Sequence, residues 1–337
     1  MNRKNKTMNV KNKTMNVKNK TMNIMVTGAA GMIGSYLVDR FLKEGHQVTG
    51  IDNFSFGNEI NLPTHPNFTF INLDLSEGKP GRSMNKSIDV VCHLAAFKKP
   101  LKGTFDTAKV MSNNAKMMEN VLDYCEENNA KLMFTSTSDV YGNSDTFNES
   151  DAITIGPPTN ERYSYALSKL FDEQLMLNKI NQGKITGAIT RIFGALGSRC
   201  NRDWSGAHIA YFLHLALTGQ DIVIHGDGLQ TRSITHVSDI VEGIVRMVNK
   251  IDNINGEIIN LGSNKEMTVK KSAELIKELT NSTSEIKHIT RQEAFGDYKE
   301  IMRRFANTTK ASELLDGWKC KTDLTKTIED IINKWQK

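Results

Sequence analysis

Thr27-Gly28-Ala29-Ala30-Gly31-Met32-Ile33-Gly34 follows the apolar run Ile24-Met25-Val26 and leads into a segment that places Leu37, Val38, Phe41 and Leu42 on one helical face. A short strand, a turn carrying three glycines and an amphipathic helix follow one another without a break. In that setting the first glycine permits a tight turn, the second lets a pyrophosphate approach the backbone, and the third lets helix and strand pack closely. The spacing is G-x-x-G-x-x-G. Eighteen residues after Gly34, Asp52 closes a second strand, Q-V-T-G-I-D. An acid there accepts hydrogen bonds from both hydroxyls of an adenosine ribose and repels a 2′-phosphate, which favours NAD over NADP.

Outward from this turn, strands and helices alternate. The helix is expected over 35–44, a third strand at F-T-F-I-N-L, a fourth at D-V-V-C-H-L, a long helix over 110–128, a fifth strand at K-L-M-F-T-S, a helix over 165–180, and a sixth strand at T-G-A-I-T-R-I-F. Strands separated by helices pair in parallel through right-handed crossovers. The expected fold is therefore α/β, a doubly wound Rossmann sheet. After residue 195 the pattern loosens into short strands, loops and helices, read as a smaller, interwoven C-terminal substrate lobe. The division is a tail over 1–22, a mainly dinucleotide-binding part over 23–195 and a mainly substrate-binding part over 196–337.

Composition sets bounds on function. The chain has 337 residues, 39 % hydrophobic and 24 % charged, ordinary for a globular protein with a sizeable core. It contains no apolar run long enough to span a bilayer. The net charge of +5 includes +7 from Arg3, Lys4, Lys6, Lys11, Lys13, Lys18 and Lys20, leaving −2 for the remainder. That balance argues against nucleic acid as a partner, since a nucleic-acid binder carries its basic excess on the folded surface. The tail itself repeats N-K-T-M-N-V-K from Asn5 and Asn12 and N-K-T-M-N-I-M from Asn19. Its few apolar residues stand among Asn, Lys and Thr, so it is read as disordered. The four cysteines Cys92, Cys125, Cys200 and Cys320 are widely spaced, as free thiols of a reducing, cytoplasmic compartment would be. The histidines have no metal spacing, and His93 and His236 are read as structural.

Two further stretches carry chemistry. Tyr165-Ala-Leu-Ser-Lys169 puts a phenol and an ammonium four apart on one helical face. A free tyrosine is a poor base near neutrality, but an adjacent Lys⁺ and a positive nicotinamide ring both favour phenolate, so Tyr165 is the candidate base for a sugar hydroxyl. Tyr163 has Leu167 four residues on and is set aside. The fifth strand ends in F-T-S-T-S-D-V-Y-G, which places hydroxyls at the carboxyl edge of the sheet, where doubly wound folds bind ligands.

With the glycine turn, T-S-T-S-D-V-Y-G and Y-x-x-x-K in this order, the chain resembles the extended short-chain dehydrogenases/reductases that modify nucleotide sugars, over residues 24–335. The resemblance implies NAD as cofactor, a transient 4-keto sugar, a UDP-sugar substrate, and a homodimer formed through the helices near 110–128 and 162–180. It implies a cofactor site of Gly28, Gly31, Met32, Ile33, Gly34, Asp52, Asn53, Ser55, Gly57, Asp74, Leu75, Leu94, Ala95, Ala96, Lys98, Asn114 and Phe193, with Tyr165 and Lys169. Catalysis falls to Tyr165, Lys169, Thr137 and Asp139. Substrate contacts fall to Thr137, Ser138, Gly194, Arg232 on the diphosphate, and Arg304, whose role is either a phosphate grip or a solvated surface residue. No metal is implied. Ser138-Asp139 stands where glucose-type 4,6-dehydratases carry Asp-Glu and decarboxylases carry Ser-Glu. T-S-D-V-Y-G with R-I-F-G-A-L-G looks most like a bacterial 4-epimerase subgroup, so epimerase is the favoured reading. UDP-glucuronate decarboxylase and nucleotide-sugar 4,6-dehydratase are the alternatives. A non-catalytic sensor is the rival from outside the enzymes, and it would be expected to lose Tyr165 or Lys169.

Overall fold

The computed structural model describes residues 20–81, 87–98, 106–157, 160–161, 163–202, 207–290, 293 and 301–336. Most of the N-terminal repeat, residues 1–19, lies outside them. The strands are β1 Asn23–Thr27, β2 Gln47–Asp52, β3 Phe68–Asn72, β4 Val90–His93, β5 Lys131–Thr137, β6 Gly187–Ile192, β7 Ala195–Leu196, β8 Ile222–His225, β9 Thr231–Ser233, β10 Thr235–His236, β11 Ile258–Leu261, β12 Glu266–Thr268, β13 Ile286–Ile289 and β14 Arg303–Arg304. The helices are α1 Met32–Lys43, α2 Thr107–Asn128, α3 Tyr163–Asn181, α4 His208–Leu217, α5 Val237–Asn249, α6 Val269–Thr280, α7 Thr309–Leu314 and α8 Leu324–Trp335.

Seven strands form one parallel sheet in the order β11-β6-β5-β4-β1-β2-β3. The central strands β1 and β4 are buried along almost all their length because helices cover both faces; the edge strand β3 has no fully buried residue. On one face, Leu37, Val38 and Phe41 of α1 pack with Ile240, Val241 and Ile244 of α5. On the other, Met118, Val121, Leu122 and Cys125 of α2 meet Phe134 of β5 and Met176 of α3. Asp106 caps α2 by accepting from the Lys109 N–H, and Asn129, at φ 52°, ends the helix in the left-handed conformation.

The chain order reverses between β1 and β4, which opens a crevice at the carboxyl ends of the strands. Residues beyond 195 do not stay apart from this sheet. Helix α5 and strand β11 return to it, and Ala311, Leu315 and Trp318 seal the same core. A second core, built from α4, α6, α8 and the β8–β13 pair, forms the smaller lobe beyond the crevice.

Candidate active site

The crevice is a cleft of about 850 Å3, and the glycine turn forms its floor. Gly28 takes φ +69°, and a Cβ there would lie 2.9 Å from the Ala95 N. At Gly34 a Cβ would lie 2.0 Å from the Gly28 carbonyl oxygen. Only glycine lets helix α1 begin this close to β1 and β4. Gly31 precedes helix α1 as its N-cap with no side-chain cap, so the first N–H groups of the helix are left for an anion in the cleft that Gly31, Met32, Ile33 and Gly34 line.

Asp52 marks the adenosine end. Its Oδ2 accepts from the Ala30 N–H at 2.9 Å and its Oδ1 from the Phe54 N–H at 2.8 Å. Phe54 takes φ +59°, uncommon for a bulky residue, and this turn aims its N–H at the carboxylate. Each oxygen keeps a lone pair for a ribose hydroxyl. Burial pushes the Asp52 carboxyl up, partly offset by these backbone N–H donors. Asn53 donates to Asp74 Oδ2 at 2.9 Å, which ties the second strand end to the Asp74–Leu75 wall. The cradle, the acid and the open helix end fit NAD, with Gly28, Gly31, Met32, Ile33, Gly34, Asp52, Asn53, Ser55, Gly57, Asp74, Leu75, Leu94, Ala95, Ala96 and Lys98 all lining the cleft.

Two of the expected cofactor residues do not line it. Asn114 is 1 % exposed, and its amide is spent on bracing: Oδ1 accepts from the Phe97 N–H at 2.7 Å and Nδ2 donates to Ser168 Oγ at 2.9 Å. It ties the cleft wall at Phe97 to helix α3 at Ser168. Phe193 is buried in a cluster with Tyr141 and Phe147, so its side chain is core. Arg232, expected on the substrate diphosphate, is also absent from the lining; its Nη1 donates to the Thr231 and Ile301 carbonyls.

At the other end of the cleft, Thr137, Ser138, Asp139, Tyr165 and Lys169 come together, with Gly194 beside them. Thr137 ends β5, and its hydroxyl accepts from the Asp139 N–H at 3.2 Å. Tyr165 and Lys169 stand one turn apart on α3. The Lys169 ammonium lies 4.2 Å from the centre of the Phe134 ring and 3.8 Å from Asp172 Oδ2. The chain's own residues set a charge balance that opposes a phenolate at Tyr165. Burial pushes the Tyr165 phenol well up, and Asp139 and Asp172 push it further. Burial also draws Lys169 down, against the pull of Asp172 and Glu173. Tyr163 is elsewhere, as expected, with its hydroxyl on Asn143 Oδ1 at 3.3 Å.

Arg304 comes to the same end from β14, which pairs with β9, and it forms an ion pair with Asp139 across 165 residues of sequence. Its side chain is 11 % exposed, so it is not a solvated surface residue. Nη1 takes Asp139, while Nε and Nη2 have no hydrogen-bond partner among the described residues. Both nitrogens are buried, and their edge is a planar fork of the kind that pairs with carboxylates.

Residues that the sequence reading overlooked also line the cleft. Ser198, Arg199 and Arg202 form a basic wall. Arg199 donates to Asp39 and stacks on Tyr36, and Arg202 lies over Trp335. The visible signal was R-C-N-R after the sixth strand, at the edge where ligand loops gather. His93 and His236 are structural: His93 Nδ1 pairs with Thr27 Oγ1 at 2.7 Å, and His236 caps α5. Among the described residues no three His, Cys, Asp or Glu side chains gather as a metal site, and no helix is long and apolar enough to cross a membrane.

Comparison with known proteins agrees with this geometry. Residues 24–262 match the model of the NAD dependent epimerase/dehydratase family. A UDP-N-acetyl-alpha-D-glucosaminuronate decarboxylase of Bacillus cytotoxicus is 34 % identical over 86 % of this chain and 90 % of its own. A UDP-glucuronic acid decarboxylase 1 of Xenopus tropicalis is 30 % identical over 93 % of this chain and 72 % of its own. Among solved structures, a UDP-glucuronic acid 4-epimerase of Bacillus cereus, in complex with UDP-glucuronic acid and NAD, has a TM-score of 0.79 at 26 % identity, covering 94 % of this chain and 99 % of the other.

Proposed function

This chain belongs to the NAD-dependent epimerase/dehydratase family of nucleotide-sugar enzymes and uses NAD, and we propose that it oxidises a UDP-linked hexuronate at carbon 4 and then releases carbon 6 as carbon dioxide. The observation that carries this reading is the Arg304 fork, which stands beside Asp139 at the catalytic end with two N–H groups unpartnered among the described residues. A carboxylate on carbon 6 would satisfy both donors and their charge, where a neutral hydroxymethyl oxygen would satisfy only one. The relatives named above that act on uronates support the same substrate class.

In this reading Tyr165 takes the proton of the 4-hydroxyl, Thr137 hydrogen-bonds the same oxygen, and Lys169 holds the ammonium charge beside the phenol. NAD, when bound, supplies the acceptor for the carbon-4 hydride and returns it at the end. The resulting 4-keto sugar bears its carboxylate β to the carbonyl. The electron pair of the carbon 5–carbon 6 bond moves toward the carbonyl, carbon dioxide leaves, and a proton adds at carbon 5. Arg304 orients the carboxylate for this step, and Asp139 keeps the guanidinium in place.

The sequence favoured 4-epimerisation, which shares everything up to the keto sugar, and the Bacillus cereus uronate epimerase keeps it as the second reading. The 4,6-dehydratase reading loses ground because expelling a 6-hydroxyl needs an acid: Ser138 is not one, and Asp139 is committed to Arg304. Incubation with UDP-glucuronate, UDP-N-acetylglucosaminuronate and UDP-glucose tests this. A UDP-pentose and carbon dioxide are expected from a uronate. An unchanged mass with a new stereoisomer would give the reaction to epimerisation, and turnover of UDP-glucose alone would overturn the hexuronate reading.

A homodimer through α2 and α3 belongs to the same proposal, since both helices carry exposed apolar side chains, Met111 and Phe171. Light scattering of the protein in solution tests it. A cytoplasmic location is proposed from the four free thiols.

A further inference from the structure

Behind the catalytic ammonium lies an acid that the reaction above does not use. Asp172 sits three residues past Lys169 on α3, is 1 % exposed, and has its Oδ1 without a hydrogen-bond partner among the described residues. Its neighbour Glu173 is equally buried but fully engaged: Arg191 Nε and Nη2 reach its two oxygens at 3.0 and 2.7 Å, and the Ser136 hydroxyl donates to Oε1. From β4, His93 faces Lys169 as a neutral ring, pushed down to about 3 by burial and then by Lys169 itself. From α2, the Asn114 amide is spent on Ser168 and the Phe97 backbone. From the turn after β5, Asp139 acts on Tyr165 and is paired with Arg304.

We propose that Asp172 is a positioning residue for the oxidation step: its buried carboxylate tethers the Lys169 ammonium from behind, and its charge opposes the phenolate of Tyr165 until cationic groups gather at the site. The inference rests on the Tyr165–Lys169 oxidation of the proposed function and not on what becomes of the keto sugar.

The two effects of the charge have opposite sign. A negative Asp172 favours the ammonium and disfavours phenolate. Burial pushes Asp172 up to about 6, with Lys169 pulling down and Glu173 pushing up. Its carboxylate is therefore charged above that pH and neutral below it.

Asp172→Asn keeps the shape and removes the charge. The direct reading is a near-ultraviolet tyrosinate titration of the NAD-bound protein, taken as the difference from the same protein carrying Tyr165→Phe. The phenol is expected to titrate lower by at least about half a pH unit in Asp172→Asn. On whichever nucleotide sugar turns over, kcat should fall about tenfold with KM within about twofold, because the untethered ammonium no longer holds one place. An unmoved Tyr165 titration overturns the proposal, even if activity falls, since a merely structural role would cost activity without moving it. If Asp172→Asn does not fold, Lys169→Met gives the reciprocal test. The Asp172 carboxyl, followed by its infrared C=O band, should titrate higher once the ammonium is gone, and an unchanged titration overturns the tether. Neither optical measurement needs a sugar, so both stand if the hexuronate reading fails.

Discussion

Replacing Arg304 by Met separates a uronate site from a neutral-sugar site. The substitution keeps most of the apolar stem of the side chain and deletes the fork that the hexuronate reading sets against the carboxylate. Hydrogen bonds to a charged group contribute about 1.5–3 kcal/mol, so their loss should lower kcat/KM for UDP-glucuronate by roughly ten- to 150-fold. Without Arg304, the Asp139 side chain, 39 % exposed, can be rewetted, so its own penalty should be small. Any activity on UDP-glucose, which offers a hydroxymethyl group at the same carbon, should change by no more than about threefold. The assay is initial-rate product formation on both sugars by mass-resolved chromatography, with bound NAD measured in each preparation to show that the cofactor end is intact. An equal fall on both sugars would mean that Arg304 only holds Asp139 in place. No fall on the uronate would remove the carboxylate reading altogether.

Three other outcomes follow from the geometry. Tyr165→Phe should cut turnover by about a hundred- to ten-thousand-fold while NAD stays bound, and near-normal rates would refute the assigned base. Gly34→Ala drives a Cβ to 2.0 Å from the Gly28 carbonyl, so purified protein should have lost its NAD and about 1–3 kcal/mol of stability; full cofactor occupancy with an unchanged Tm would contradict the packing described for the turn. His93, held at about 3 against its ordinary 6.5, takes up fewer protons folded than unfolded, so its stability contribution is whole above pH 6.5 and fades as the pH falls toward 3. By pH 5 this one ring should cost about 2 kcal/mol in urea unfolding, and His93→Gln should remove that part of the pH dependence; an identical slope in the variant would show that the ring is not buried neutral.

What could be read in the chain beforehand was local. The glycine turn, Asp52 at the end of its strand and the tyrosine–lysine pair on one helical face are set by spacings of a few residues, and each lands in one cleft. The parts that were not read depend on contacts without a local signature. The seventh strand, Ile258–Leu261, joins the sheet beside β6 from far along the chain, and parallel pairing leaves no turn motif to announce it. Arg304 reaches Asp139 because a two-residue strand pairs with β9, and a strand that short has no period to detect. The side chains of Asn114 and Phe193 stand back from the cleft for a related reason. The motif places their backbone near the cofactor, but side-chain direction is decided by neighbours, which turn the amide to Ser168 and the ring into the Tyr141 cluster.

The charge state of Tyr165 brings these observations together. Taken alone, the pocket is hostile to a phenolate: it is buried, it faces Asp139 and Asp172, and Lys169 is drawn toward neutrality by the same burial. If Tyr165 is the base, its strength would have to come from groups that bind beside it. The positive nicotinamide ring of oxidised NAD would favour the phenolate, whereas further loss of water and a further carboxylate would oppose it. Basicity would then depend on the oxidised cofactor being in place, and the acids around Tyr165, which look unfavourable in isolation, would keep the site silent without it.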